Sequence, residues 1–509
     1  MGNSPRTSSI HILDDDCLLH VFYLYRPFLL GEDEDETARL FGGKGNWVNG
    51  RWWYKLARVC QKWRNVILGS AHYLGVFLVC SNGMPVGDML AHSPPLPLVI
   101  DYNGHHRSIT EDEKGAILAL RKCDRVRLVR LGMAVTNLQK IIAAMDQEFP
   151  ILEYLILMPP PGDKSTILKL PETLQTPHLR HLTLVDWALP IGSRLLTTAV
   201  GLVTFCLVIN DPSTYFRPNS LLHSLSCMPR LEMLAIFCFA GPNRETEGQL
   251  MQTPIAAPVT LPNLHFFRFS GVSADLEALI HRIAAPRLES LQIIFFNQQM
   301  FSVPRLVQFM NTTGNLRFDS AEFSFNDGGV WVDVYPRGES EMYALSIRVF
   351  CEHLDWQVSF VAQISNSLRQ ISSATEHLTL GHKGHRQTSE EHNTVDPTEW
   401  HKLLRPFRNV KTLHIGSGLV EQLSRCLELE DEDGELPLEL LPGLQELTYS
   451  ASGTVGDAFA SFISARQNAG RPINLVLESE RDDPALLSQA QGFPTVTSGS
   501  SEAGSNLSA

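Results

Sequence analysis

Apolar residues recur along this chain in two rhythms, one near the N-terminus and one through most of the remainder. The first is helical. Asp14 or Asp15 is suited to cap a helix, and Leu18, Leu19 and Phe22 follow on one face. Between Trp53 and Ile67, the residues Leu56, Val59, Cys60, Trp63 and Ile67 form a second stripe, with Lys55, Arg58, Lys62 and Arg64 placed elsewhere. Segments this short cannot bury so many large side chains by themselves, so they need a partner surface.

Beyond residue 120 a different phrase returns: apolar, two positions, apolar, one position, apolar. Clear copies begin at Leu152, Leu179, Leu231, Leu264, Leu288, Val410 and Leu444, weaker ones at Val126 and Leu202, and Leu378-x-Leu380 is a partial one. The steps from Val126 to Leu288 are 26, 27, 23, 29, 33 and 24 residues. The alternation closing each phrase is that of a short strand with one buried face. Helical stripes lie between, at Leu138, Ile141, Ile142 and Met145 after Thr136, and at Leu276, Leu279, Ile280 and Ile283 after Ser273. A third stripe takes in Phe360, Val361, Ile364, Leu368 and Ile371, and prolines at Pro150, Pro229 and Pro286 help to end helices before the next strand. Strand–helix units at this period predict an irregular leucine-rich-repeat-like solenoid, with parallel strands on one surface and helices on the other. The Asn usual in such repeats is absent: Pro160, Trp187, Phe239, Val272, Phe296 and Gly418 stand in its place, so the turns must satisfy their backbone groups otherwise. Asp327 to Glu341, with Gly328-Gly329, Trp331 and Tyr335, interrupts the rhythm as an inserted hairpin. A general α/β domain with parallel strands is the competing fold.

The N-terminal pair of segments resembles the F-box. Leu13-Asp14 stands where that family usually has Leu-Pro, Leu18-Leu19 and Val21-Phe22 follow, and Val59-Cys60-Gln61-Lys62-Trp63-Arg64 matches its closing Val-Cys-x-x-Trp-Arg run. The proline is missing, and residues 31–51 are inserted between the helices. The continuation through Leu78-Val79-Cys80 to Pro94-Pro95-Leu96-Pro97-Leu98 is similar to fungal F-box-like proteins. The resemblance implies docking on a Skp-type adaptor, and through it a cullin, by Leu13, Leu18, Leu19, Phe22, Leu56, Val59, Cys60, Trp63 and Arg64. It further implies a ubiquitin-ligase substrate receptor whose repeats hold a target protein while other subunits perform catalysis. The expected order is an α/β chain with an F-box-like helical domain over 8–75, a linker region over 76–120, the solenoid over 121–478 and a disordered polar tail over 479–509.

Composition narrows the alternatives. The net charge of −13 argues against a general nucleic-acid surface. The nine cysteines are scattered, without a C-x-x-C pair, which favours reduced thiols in cytoplasm or nucleus. No signal peptide is visible, and the weakly polar stretch from Leu195 to Asn210 is too short to span a bilayer. The acidic runs Glu32–Glu36 and Glu428–Glu435 read as solvated loops. Gly42-Gly43-Lys44-Gly45 lacks phosphate-loop spacing, and Gly416-Ser417-Gly418 is not a nucleophile elbow. His377, His382, His385 and His392 cluster without cysteine partners and read as solvated. No catalytic residue, metal site or cofactor is expected, and no target-binding residue can be named. The rivals to a ligase receptor are an interaction scaffold on the same repeats and, last, an enzyme on an α/β framework.

Overall fold

The computed structural model describes residues 13–26, 52–103, 113–159, 168–188, 193–211, 218–239, 258–296, 303–313, 316, 318–336, 343–383, 395–428, 440–450 and 458–478. The expected insertion at 31–51 and the tail at 479–509 lie outside them. Helix α1 (Asp15–Tyr25) is capped by Asp14, whose carboxylate accepts the Cys17 N–H at 2.7 Å. Asp15 and Asp16 place negative charge at the positive end of the helix dipole. The second apolar stripe is divided between α2 (Trp52–Ala57) and α3 (Gln61–Gly69). The break has a local cause. The N–H groups of Arg58 and Val59 bond three residues back, to the carbonyls of Lys55 and Leu56, and Cys60 is extended. Arg64 Nε donates to Ala57 O at 3.1 Å and closes the kink.

Sixteen strands of the described residues form one sheet. β1 (Leu78–Ser81), β2 (Leu98–Asn103), β3 (Val126–Gly132), β4 (Tyr154–Leu157), β5 (His181–Val185), β6 (Thr204–Ile209), β7 (Met233–Cys238), β8 (Phe266–Gly271) and β9 (Ser290–Phe295) lie side by side in chain order. Each is parallel to the next. A meander of β10 (Ser320–Asn326), β11 (Gly329–Tyr335) and β12 (Leu345–Phe350) then folds back, so β12 joins β9 in parallel and β11 is antiparallel to both neighbours. β10 pairs in parallel with β13 (His377–Lys383), and β14 (Thr412–Ile415), β15 (Glu446–Ser450) and β16 (Asn474–Glu478) complete the order. The turn between β10 and β11 is Asp327-Gly328, with the Gly328 N–H bonded to Asn326 Oδ1 at 2.9 Å. The expected hairpin therefore begins earlier than Asp327, because the alternation of Ala321, Phe323 and Phe325 already builds its first arm.

The connecting helices are α4 (Val86–His92), α5 (Glu113–Leu120), α6 (Val135–Ala143), α7 (Arg194–Thr198), α8 (Pro218–Ser226) and α9 (Ser273–Ile280). After them come α10 (Pro304–Thr312), α11 (Leu354–Ser367), α12 (Arg369–Ala374), α13 (Pro397–Leu404), α14 (Val420–Glu428) and α15 (Ala460–Asn468). Residues 76–120, expected as linker, instead carry β1, α4, β2 and α5. Their apolar runs Val76–Leu78 and Leu98–Ile100 are buried, and this makes them the first strands of the sheet. The first two helical stripes pack into the core, but their caps are Ala134 and Val272 rather than Thr136 and Ser273. The third breaks at Leu368, between α11 and α12. One apolar cluster runs from Leu18 in α1 to Phe462 in α15.

The missing Asn is replaced by main-chain bonding. The first apolar residue of each clear phrase is buried two positions ahead of its strand, and in most of them the carbonyl that follows it accepts two successive N–H groups of the next unit. Glu153 O takes Arg180 and His181, Arg180 O takes Val203 and Thr204, and Val203 O takes Glu232 and Met233, all at 2.8–3.0 Å. Glu232 O and His265 O continue the series. It resumes beyond the meander, where Asp319 O bonds Glu376 and His377, Glu376 O bonds Lys411 and Thr412, and Lys411 O bonds Gln445 and Glu446.

Near the C-terminal end, Arg466 is fully buried. Its guanidinium donates to the carbonyls of Leu440, Leu441, Pro442 and Leu444 at 3.2–3.5 Å, in the loop that leads to β15. Leu441 there has φ +50°, a conformation unfavourable for a branched side chain. Carbonyl dipoles compensate a charge that elsewhere would need a carboxylate. Arg466→Met is expected to lower unfolding free energy by about 3 kcal/mol, because four acceptors lose their donor, with Arg466→Lys recovering only part of it. Equilibrium denaturation of the three proteins measures this, and an unchanged Arg466→Met midpoint contradicts it.

Candidate interaction surfaces

The residues that the F-box resemblance assigns to adaptor contact divide into two sets. Leu18 and Phe22 are fully buried, while Leu19, Leu56 and Trp63 are half-buried against the core. Trp63 meets Phe22 edge-on, with ring centroids 5.0 Å apart, and so holds α3 against α1. Cys60 is half-buried at the start of α3. Arg64 is exposed, with its Nε engaged by Ala57 O. Leu13 and Val59 reach solvent, Val59 at 55% because it sits in the kink. Lys62 adds a clasp, donating to Leu13 O at 2.6 Å and standing 3.4 Å from Asp15. α2 is bonded to the segment that enters β1 through Trp53 Nε1, which donates to Phe77 O at 3.3 Å.

Sequence reasoning missed the other flank of α1. Val21, Leu24 and Tyr25 share i, i+3, i+4 spacing and are exposed, Leu24 at 71%, with Tyr23 and Tyr73 beside one another nearby. The available signal was that α1 is apolar on more than one face, which a helix resting only on its own core does not need.

On the sheet face opposite the main core, alternate strand residues form separate small clusters. One holds Phe77, Val99 and Leu128, and a second holds Cys206, Val208, Met233, Ala235, Phe237 and Phe266. Polar groups share this face. Asp101 stands opposite Arg130 in the register; burial raises its carboxyl above the usual range and Arg130 offsets part of that rise. Tyr154 and His181 stack at 4.3 Å, nearly parallel. Burial, aided by the Arg180 charge, lowers His181 to about 4. Further along, Arg268 lies over Phe237 at 5.0 Å and Arg348 over Trp331 at 4.9 Å. Ser346 donates to the buried Asp333 at 2.6 Å, and Tyr335 and Ser324 both donate to Glu322. Burial pushes the thiols of Cys80 and Cys206 up to about 12, which keeps them protonated and poorly nucleophilic.

Three aromatics beyond strand ends have different fates: Trp187 is core, Phe296 half-buried and Phe239 exposed. His377 Nδ1 lies 2.7 Å from Thr412 Oγ1, whereas His385 and His392 lie outside the described residues, as do Gly42–Gly45 and Glu32–Glu36. Among the described residues, no group of three or more His, Cys, Asp or Glu side chains could hold a metal ion. Nor is any helix among them long and apolar enough to cross a membrane. No protein-family model matches the chain, and a search of curated proteins finds no match. The geometry itself defines a mixed α/β protein with N-terminal helices beside a large, mostly parallel sheet.

Neutral His181 gives a pH signature. The unfolded chain takes up a proton near the ordinary 6.5 and the folded chain only near 4. The associated stability is present above about pH 6.5 and declines as pH falls toward 4, by at most roughly 3 kcal/mol. Replacing His181 with Asn is expected to flatten the pH dependence of the denaturation midpoint across that window. Parallel wild-type and variant profiles would contradict the assignment.

Proposed function

We propose that this chain is a substrate receptor of a cullin-type ubiquitin ligase. α1, α2 and α3 dock on a Skp-type adaptor, and the sheet face opposite the main core holds a target protein. The observation that carries the reading is the exposed apolar flank of α1, with Leu13 and Val59, on helices whose residue order resembles the F-box. In this reading Leu18, Phe22 and Trp63 support the docking surface from within, while Val21, Leu24, Tyr25, Leu13 and Val59 meet the adaptor. The receptor contributes no chemistry. It holds the target near a charged ubiquitin carrier and raises the effective concentration of acceptor lysines. Nine free cysteines favour a reducing compartment, cytoplasm or nucleus.

A second reading has a specific observation behind it. The Trp53–Phe77 bond and the continuous core join the N-terminal helices to the rest of the molecule, which supports a scaffold in which they cap the repeats and have no ligase role.

Co-expression with a Skp-type adaptor and a cullin, followed by affinity capture, separates the readings. The ligase reading expects both proteins to be captured by wild type. It expects at least tenfold less capture by Leu24→Asp/Val59→Asp at an unchanged melting temperature, since truncating anchors at an interface centre costs about 2 kcal/mol or more. Leu18→Asp is expected to lower the melting temperature instead, because it buries a carboxylate. Folded wild type that captures neither protein sinks the ligase reading and leaves the scaffold.

A further inference from the structure

Four phenyl rings form a file along the ends of β7, β9 and β12. Phe237 and Phe239 are 6.1 Å apart, Phe239 and Phe296 5.6 Å, and Phe296 and Phe350 5.9 Å, with interplanar angles of 10°, 36° and 14°. The file crosses β8 just past its end, at the half-buried Val272. Packing for stability alone would turn these rings inward, yet Phe239 is 54% and Phe350 45% exposed. The residue opposite Phe350 on β11 is Gly329, which offers no side chain to cover it.

A cation stands at the end of this rail. Arg348 precedes Phe350 by two positions on the same strand face, about 7 Å away. The Trp331 ring holds its guanidinium in place, and it has no acidic partner among the described residues. A guanidinium already held by an aromatic face loses little freedom when a carboxylate arrives.

We propose that this rail is the target-recognition patch, and that it binds an extended segment of a partner protein in which an aromatic side chain lies close to an Asp or Glu. The aromatic side chain joins the file at the spacing of its present members, and the carboxylate pairs with Arg348. Nucleic acid fits less well, since Glu322 and Asp333 share this sheet face and the chain carries a net charge of −13. The inference rests on the reading of the chain as a target receptor and is independent of what α1 binds.

The test is selection of random dodecapeptides displayed on phage against the immobilised full-length chain, followed by anisotropy titration of the enriched peptides. The expected consensus pairs Phe, Tyr or Trp with Asp or Glu within two or three positions. Phe239→Ala/Phe350→Ala is expected to weaken binding at least tenfold at an unchanged melting temperature. Arg348→Gln should bind the acidic peptide no better than its Asp→Asn counterpart, while retaining the aromatic preference. No enrichment, a basic consensus, or binding indifferent to these substitutions overturns the proposal. Those results with adaptor capture intact remove the patch and leave the ligase reading. Peptide binding without adaptor capture does the reverse.

Discussion

One hydrogen-bonding arrangement sets the register of half of the sheet: at the entrance of eight strands, β5 to β9 and β13 to β15, a single carbonyl of the preceding unit accepts two successive N–H groups. Where Glu153 O holds Arg180 and His181, Leu182 and Leu184 must point to the core, and Thr183 must point away. A slip of one residue would exchange the two faces of the strand, so the bond decides which side chains are core and which are surface. The apolar residue just before that carbonyl is buried in each clear phrase, and thereby fixes the bond's position. The core positions of β5 to β9 and the alignment of Phe239 with Phe296 inherit their register from this backbone series.

Much of the sheet was legible in the sequence because the phrase has a local cause. Leu231-x-x-Leu234-x-Ile236 announces both the anchor and the inward positions of β7, and each of the other clear phrases falls on a strand in the same way. What was illegible depended on partners distant in the chain. β1 and β2 read as linker because their runs are short and lack the phrase, and their status as strands comes from mutual pairing. The first arm of the meander was missed because its neighbours are β11 and β13, and the latter lies beyond α11 and α12. Nothing near Arg466 in the sequence announces that its partners are carbonyls of residues 440–444.

At the N-terminal end, the apolar periodicity identified side chains that hold the helices together, Leu18 and Phe22 above all. It did not identify those that face solvent. Periodicity reports the face a helix gives to its own core, whereas a docking surface is made of apolar residues left over once that core is full. Leu24 and Tyr25 are such residues. Val59 is another, released from its stripe by a kink that Arg64 stabilises from the far side. The Val-Cys-x-x-Trp-Arg run therefore carries a bend as well as a stripe.

The meander has a mechanical consequence. Units that touch only their sequence neighbours can detach one after another, so force applied at the C-terminal end would peel β16, β15, β14 and β13 in turn. That sequence stops at β10. Its partner β11 is also held by β12, and β12 is held by β9, which lies before all three in the chain. Freeing β10 leaves an antiparallel pair still fastened to the N-terminal block, so the three strands form a staple between two runs of parallel units. Under tension the protein would lengthen in small steps from its C-terminal end, then resist at the staple, and the strands that frame the file of phenyl rings would be among the last to part.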